Sequence, residues 1–226
     1  NSRRPPPTRT STFVAAVSKS NCNCVTLAEG PPGIETYRQS DAVTVPLCAL
    51  IERERDNYDA FVVGCFGDPG VVAARELSGK PVIGLCEAGV SAAINIAETY
   101  GIVTNMPGDA SGEIRLLRAQ GLEARLVGIE AIGIPVTGLV DTPEVRGALV
   151  AAARRLGERG AQGVVLGCAG MSAFAPQIRE ETGLWVVDPV IAAAGMAFAA
   201  MASTAGCGPA RRISSQQGAR ETAGPE

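Results

Sequence analysis

Two cysteines offer this chain its clearest chemistry. Cys65 lies in YDAFVVGCFGDPG and Cys168 in GAQGVVLGCAGMS, 103 residues further on. Each ends an apolar run and is flanked by glycines, Gly64 and Gly67 in one case and Gly167 and Gly170 in the other. Each also precedes a helix-start signal, Asp68-Pro69 or Ser172, so backbone N–H groups are expected near both sulfurs. A free thiol titrates near ~8.5, and about 2 kcal/mol of preferential thiolate stabilisation lowers that to ~7, within reach of a helix N-terminus plus amide donors. The expectation is a pair of stabilised thiolates.

The chain contains no histidine. That removes Ser-His-Asp and Cys-His nucleophile systems, the histidine-bearing zinc sites, and the side chain best suited to proton transfer at neutral pH. A thiolate without a neighbouring imidazole either attacks an electrophile or takes a proton from carbon. Two thiols in repeated settings suit the second: one sulfur removes a proton from one face of a stereocentre while the other returns a proton to the opposite face. Taken singly, a cysteine at a strand end reads as a small core residue. The pairing shifts the weight toward chemistry.

The elements that must position these cysteines follow from hydrophobic patterning. Short apolar runs at 61–64, 81–85, 101–104, 163–167 and 184–187, with a weaker one at 24–27, alternate with helical patterns at 41–57, 71–77, 90–98, 112–120, 143–159, 177–181 and 190–201. Gly-bounded apolar runs separated by helices are the signature of parallel strands covered on both faces. The fold class is α/β. The cysteine motifs form an internal repeat: Arg75-Glu76 and PVIG answer Arg179-Glu180 and WVVD at an offset of 104. Two similar lobes with parallel sheets flanked by helices are expected, related by a pseudo-two-fold axis, with the active site in the cleft between them at the carboxyl ends of the strands. The expected partition is 13–99 completed by 189–205 for the first lobe and 100–188 for the second. The ends, 1–12 with three consecutive prolines and 206–226 without apolar periodicity, read as disordered tails.

Composition narrows the partners. Of 226 residues 46% are hydrophobic and 19% charged, enough to build a core, and the net charge is -3. With a pI near 5.2, no basic surface is implied, so neither nucleic acid nor an anionic membrane is an expected partner. No run has the length of a spanning helix and the start lacks a signal-peptide core, so a cytoplasmic location is expected. Seven cysteines in a chain of this size read as reduced thiols. Cys22 and Cys24 form a CxC with no second ligand cluster, a weak basis for a metal.

Together GCFGDPG, ARE, PVIGLCEA, GIVT and VLGCAGM, in this order, resemble the hydantoin and allantoin racemase branch of the aspartate/glutamate racemase superfamily over about residues 21–201. The resemblance implies that Cys65 and Cys168 are the two acid/base residues, that no metal or organic cofactor is used, that the partner is a small-molecule substrate, and that the chain is a homo-oligomer. It also suggests Ile34, in GPPGIET, and Thr104 as pocket residues; each equally suits a core or strand-end role. Phe66, Gly67, Ala169 and Gly170 are expected to hold a neutral amide or imide ring and meet its developing enolate oxygen. Glu87, in LCEAG, reads as a helix cap, while Cys48, Cys86 and Cys207 read as core or tail.

The chain departs from the family in two places. After the cysteines, Phe66 and Ala169-Gly170 stand where glutamate-type racemases carry a polar residue and Thr-His, which favours a cyclic ureide over an amino-acid carboxylate. At the start, RRPPPTRTST replaces an Asn-Pro-Asn-Thr-Ser loop, leaving Thr10-Ser11 as a remnant and suggesting that the first lobe lacks its first strand. The leading expectation is a cofactor-independent racemase of a 5-substituted hydantoin or allantoin. The alternatives are an aspartate/glutamate-type racemase or dicarboxylate isomerase, and a degenerate ligand-binding protein.

Overall fold

The computed structural model describes residues 13–18 and 21–204. The expected tails, Thr10-Ser11 and Cys207 lie outside the described residues.

Two four-stranded sheets form the frame. The first has the order β2-β1-β3-β4, built from β1 (Phe13–Ser18), β2 (Asn21–Thr26), β3 (Ala60–Val63) and β4 (Val82–Gly84). The second has the order β6-β5-β7-β8, from β5 (Tyr100–Thr104), β6 (Leu126–Ala131), β7 (Gly163–Leu166) and β8 (Trp185–Val187). Among the described residues seven α-helices cover them: α1 (Tyr37–Glu54), α2 (Val71–Ser78), α3 (Leu85–Ile94), α4 (Asp109–Gln120), α5 (Pro143–Glu158), α6 (Ala175–Thr182) and α7 (Pro189–Thr204). The α/β class expected from the run-and-helix pattern is what the chain adopts.

The structure differs from expectation in four places. The second sheet is parallel throughout, but in the first only β3 and β4 run parallel; β1 is antiparallel to both β2 and β3. Only residues 19 and 20 separate β1 from β2, and parallel pairing needs a crossover of a dozen or more residues. The first sheet does not lack the strand expected to be missing, since residues 13–18 fill the position beside β3 despite the prolines before them. The run at 81–85 is also shorter than its pattern: Gly84 ends β4 and α3 starts at Leu85, five residues ahead of the expected helix at 90–98. Finally, β6 was not legible as a strand. Its six residues are all half-buried at a sheet edge and interleave apolar side chains with Gly128 and Glu130.

The sheets are joined by helices that cross between them. α3 follows β4 of the first sheet yet packs on β7 and β8 of the second, while α7 follows β8 and packs on β3 and β4. One buried cluster accordingly holds Val62, Phe66 and Leu85 together with Ile102, Val165, Val187, Ala193 and Met201. α3 approaches the second sheet closely because Gly89 has no side chain. A Cβ there would stand 2.9 Å from Val165 Cγ1 and 3.0 Å from Pro189 Cβ.

Asp68 fixes the start of α3. Its Oδ1 accepts from the Cys86 N–H and its Oδ2 from the Glu87 N–H, both at 3.0 Å. The cap of this helix is thus Asp68, from the loop after β3; Glu87 sits in the first turn and pairs with Arg75 at 2.8 Å. At α7 the corresponding task falls to Asp188, whose Oδ1 accepts from the Val190 N–H and from the Ser172 hydroxyl.

Two stability predictions follow. Gly89→Ala, ordinarily favourable in a helix interior by up to about 1 kcal/mol, should here destabilise by about 1–3 kcal/mol through overpacking; urea denaturation checks it. Asp68→Asn places an NH2 group opposite one α3 amide, and that unpaired donor should cost about 1–3 kcal/mol in the same measurement.

Candidate active site

β3 and β7 occupy equivalent inner positions, β3 between β1 and β4 and β7 between β5 and β8, and all four residues of each are buried. Cys65 follows β3 after Gly64, and Cys168 follows β7 after Gly167. Each heads the same kind of tight turn. The Asp68 N–H donates to the Cys65 carbonyl at 3.0 Å, and the Met171 N–H donates to the Cys168 carbonyl at 3.0 Å. These turns aim the Gly67 N–H at the Cys65 sulfur and the Gly170 N–H at the Cys168 sulfur. The amide donors expected at both cysteines are therefore present.

The expected stabilised thiolates are not. Burial pushes the Cys65 thiol up to about 12 and the Cys168 thiol up to about 11, with the Gly67 and Gly170 amides pulling the other way. Taking a thiolate out of water costs more than one N–H at each sulfur returns. The neighbouring charges add to the effect. Cys168, Asp68 and Asp109 act on Cys65, and Asp109, Glu113 and Glu35 act on Cys168, all raising the thiol. The two thiols thus lie within electrostatic reach of one another, and the charged groups around them are acids.

The other expected residues take different positions. Thr104 ends β5, is 1% exposed, and its hydroxyl donates to Glu113 Oε1 at 2.6 Å. It stands beside Gly167, the residue before Cys168, because that glycine lets the strand ends meet: the Gly167 N–H donates to the Val103 carbonyl at 2.7 Å, and a Cβ on Gly167 would sit 2.7 Å from that oxygen and 3.2 Å from Thr104 Cα. Ala169 is half-buried against the cluster that joins the sheets, and Phe66, 4% exposed, belongs to that cluster itself. Ile34 packs against the separate cluster of Val43, Leu47 and Phe61 in the first sheet's layer. Its neighbour Glu35 reaches across instead, Oε1 accepting from the Val136 N–H at 3.0 Å. That bond ties the 30–36 loop to the segment before α5, where Leu139 approaches one side of the exposed Gly170: a Cβ on Gly170 would lie 3.0 Å from Leu139 Cδ1.

Sequence reasoning missed the acids. Glu35 was visible in GIET only as a flank of Ile34. Asp109 and Glu113 are four residues apart at the start of the helix that follows Thr104, so they share a helix face toward the strand end. That spacing was a usable signal. Among the described residues no group of three or more His, Cys, Asp or Glu is arranged to hold a metal ion, and Cys22 and Cys24 are exposed on β2. No helix among them is long and apolar enough to cross a membrane. A groove of about 370 Å³ along α2, α3 and α4 includes Asp68 but neither cysteine.

The frame and its cysteines can be set beside known proteins. The family model described as Asp/Glu/Hydantoin racemase matches residues 9–197. The chain is 36% identical to a hydantoin racemase of Paenarthrobacter aurescens over 195 residues, 83% of this chain and 78% of that protein. It is similar in structure to an allantoin racemase from Klebsiella pneumoniae, with a TM-score of 0.72 at 34% identity, covering 78% of this chain and 73% of that one. For the allantoin racemase of Pseudomonas fluorescens the TM-score is 0.76 at 27% identity, covering 82% and 80%. With most of its length matched, the chain belongs to the Asp/Glu/hydantoin racemase family.

Proposed function

We propose that this protein is a racemase of a cyclic ureide, a 5-substituted hydantoin or allantoin, in which Cys65 and Cys168 exchange protons with the stereocentre. The observation that carries this reading is the matched pair of turns: two thiols, each at the end of an inner strand and each facing a glycine amide, within electrostatic reach of one another. The relatives whose names specify hydantoin and allantoin supply the substrate class.

Proton transfer then proceeds without a histidine. One cysteine, as thiolate, takes the proton from the stereocentre; the electron pair left on carbon moves onto the adjacent ring carbonyl as an enolate. The other cysteine, as thiol, delivers its proton to the opposite face, the enolate collapses, and the second sulfur is left as the thiolate. The enzyme is thereby poised for the opposite enantiomer. A thiolate desolvated by burial is a stronger base than one in water, which suits a weakly acidic C–H. The cost is a small thiolate population at neutral pH.

The surrounding acids bear on the substrate. Glu35, Asp68 and Asp109 all disfavour negative charge at the sulfurs, so an acidic amino acid or dicarboxylate would meet repulsion there, while a neutral ring with N–H donors would not. This weighs against the carboxylate alternative. The same proposal includes the two-lobe partition, 13–99 completed by 189–205 and 100–188, supported by the packing of α7 on β3 and β4.

Incubation of an optically pure hydantoin or allantoin in deuterated buffer tests the function: rotation should decay with deuterium appearing at the stereocentre. Decay no faster than the blank would sink it. Cys65→Ser and Cys168→Ser should each reduce racemisation by about 10²-fold or more, with one-sided exchange surviving in at least one. Because both thiols lie well above neutrality, at about 12 and about 11, kcat/KM should rise with pH through the neutral range by about tenfold per unit. Alkylation of either cysteine by iodoacetamide should rise likewise; a midpoint below the ~8.5 of a free thiol would contradict the buried-thiol picture.

A further inference from the structure

Glu113 is a buried acid that the two-thiol mechanism leaves unused. It is 6% exposed. Its Oε1 accepts the Thr104 hydroxyl, whereas its Oε2 is shut from solvent and has no hydrogen-bond partner. No arginine or lysine among the described residues pairs with it, in contrast to Glu130 of β6, which Arg155 of α5 and Arg159 just after that helix hold. A buried carboxylate with one bare oxygen and no cation is costly, whereas a neutral acid leaves a single O–H in search of an acceptor.

Its location gives that O–H a use. Thr104 ends β5, the strand beside β7, so the Glu113 carboxyl lies at the carboxyl edge of the second sheet, one strand from Cys168, whose thiol an ionised Glu113 would raise. The titratable groups acting with it are Asp109 one turn earlier on α4, Cys168 after β7 and Cys86 on α3. The other nearby acids are engaged elsewhere: Glu87 of α3 by Arg75, and Glu123, in the turn after α4, by Arg118.

We propose that Glu113 is a catalytic residue that works as a neutral carboxylic acid, anchored through Oε1 by Thr104 and donating its Oε2–H to the ring carbonyl oxygen on which the enolate charge develops. The inference rests on the ureide reading above. Glu113 keeps its proton throughout: the carbon-bound proton goes to one sulfur and the other sulfur supplies its replacement. The hydrogen bond strengthens as the enolate forms, which lowers the barrier rather than only the ground state. A neutral Glu113 also spares a Cys168 thiolate an adjacent anion. Burial, reinforced by Asp109 and opposed by Thr104, raises the carboxyl to about 8, so the neutral form is present at neutral pH.

The pH profile separates this role from a structural one. The active form carries one thiolate and a neutral Glu113. Below pH about 8 the thiolate fraction grows with pH while Glu113 stays neutral, so kcat/KM rises. Above it each gain in thiolate is offset by an equal loss of neutral Glu113, and the profile levels until the thiols themselves titrate. The Glu113→Gln variant cannot ionise, yet it keeps an acceptor for Thr104 and a donor in place of Oε2–H. It should stay within roughly tenfold of wild type at neutral pH and continue to rise where wild type levels, while Glu113→Ala should lose about 10²-fold or more. A Glu113→Gln profile that levels like wild type, or a loss equal to that of Glu113→Ala, overturns the inference while leaving ureide racemisation standing. Wild type inert on all ureides overturns the ureide reading and the assigned donor role together. Infrared difference spectra against Glu113→Gln then still read the acid itself: a protonated-carboxyl band lost on raising the pH through about 8 supports a neutral Glu113, and its absence at neutral pH refutes it.

Discussion

The exchange of α3 and α7 between the two sheets is the constraint on which the site depends. Each cysteine is set by its own strand and turn, but two turns on separate sheets have no reason to face one another unless the sheets are locked. Helices that leave one sheet and pack on the other provide the lock, with a shared cluster running from Val62 and Leu85 to Val165 and Ala193. Gly89 permits the closest approach in that contact. Interiors at crystal-like density do not deform gradually, so the distance between the sulfurs is held by the same packing that holds the protein together.

Polar bonds at the helix starts connect this lock to the chemistry. Asp68, three residues after Cys65, caps α3; Ser172, four residues after Cys168, binds Asp188 at the start of α7. The turn that presents each thiol is therefore fastened to the helix that crosses between the sheets. Burial raises Asp68 to about 7, partly offset by the Glu87 and Cys86 amides, so its charge is confined to a dry setting beside a thiol. The result is a site in which negative charge is disfavoured at both sulfurs and around them. Such surroundings suit a neutral substrate whose own developing charge is met by hydrogen bonds and not by a cation.

Much of the frame was legible because buried strands and amphipathic helices write their periodicity locally. The runs at 61–64, 101–104 and 163–167 became β3, β5 and β7 within a residue or two at each end. What escaped had weak local signals: β6 is a half-buried edge strand, and β1 follows a proline-rich stretch and takes its direction from a two-residue link to β2. The cysteines were legible from their repetition, and the glycines beside them from their spacing. Glu35, Asp109 and Glu113 were not singled out, since an isolated acid near a helix start is ordinarily a solvated one.

By itself the sequence determined the α/β class, the two cysteine turns and the absence of an imidazole to move protons. Those are properties of residue type and of near-neighbour spacing, which the chain carries whatever surrounds it. Only the tertiary structure decided that the thiols are raised rather than lowered, and that acids from three separate segments gather near them. The sign of a pKa shift is a balance between desolvation and nearby dipoles and charges, and desolvation depends on everything packed around the group. A glycine amide two residues away is visible in the sequence; the burial that outweighs it is not.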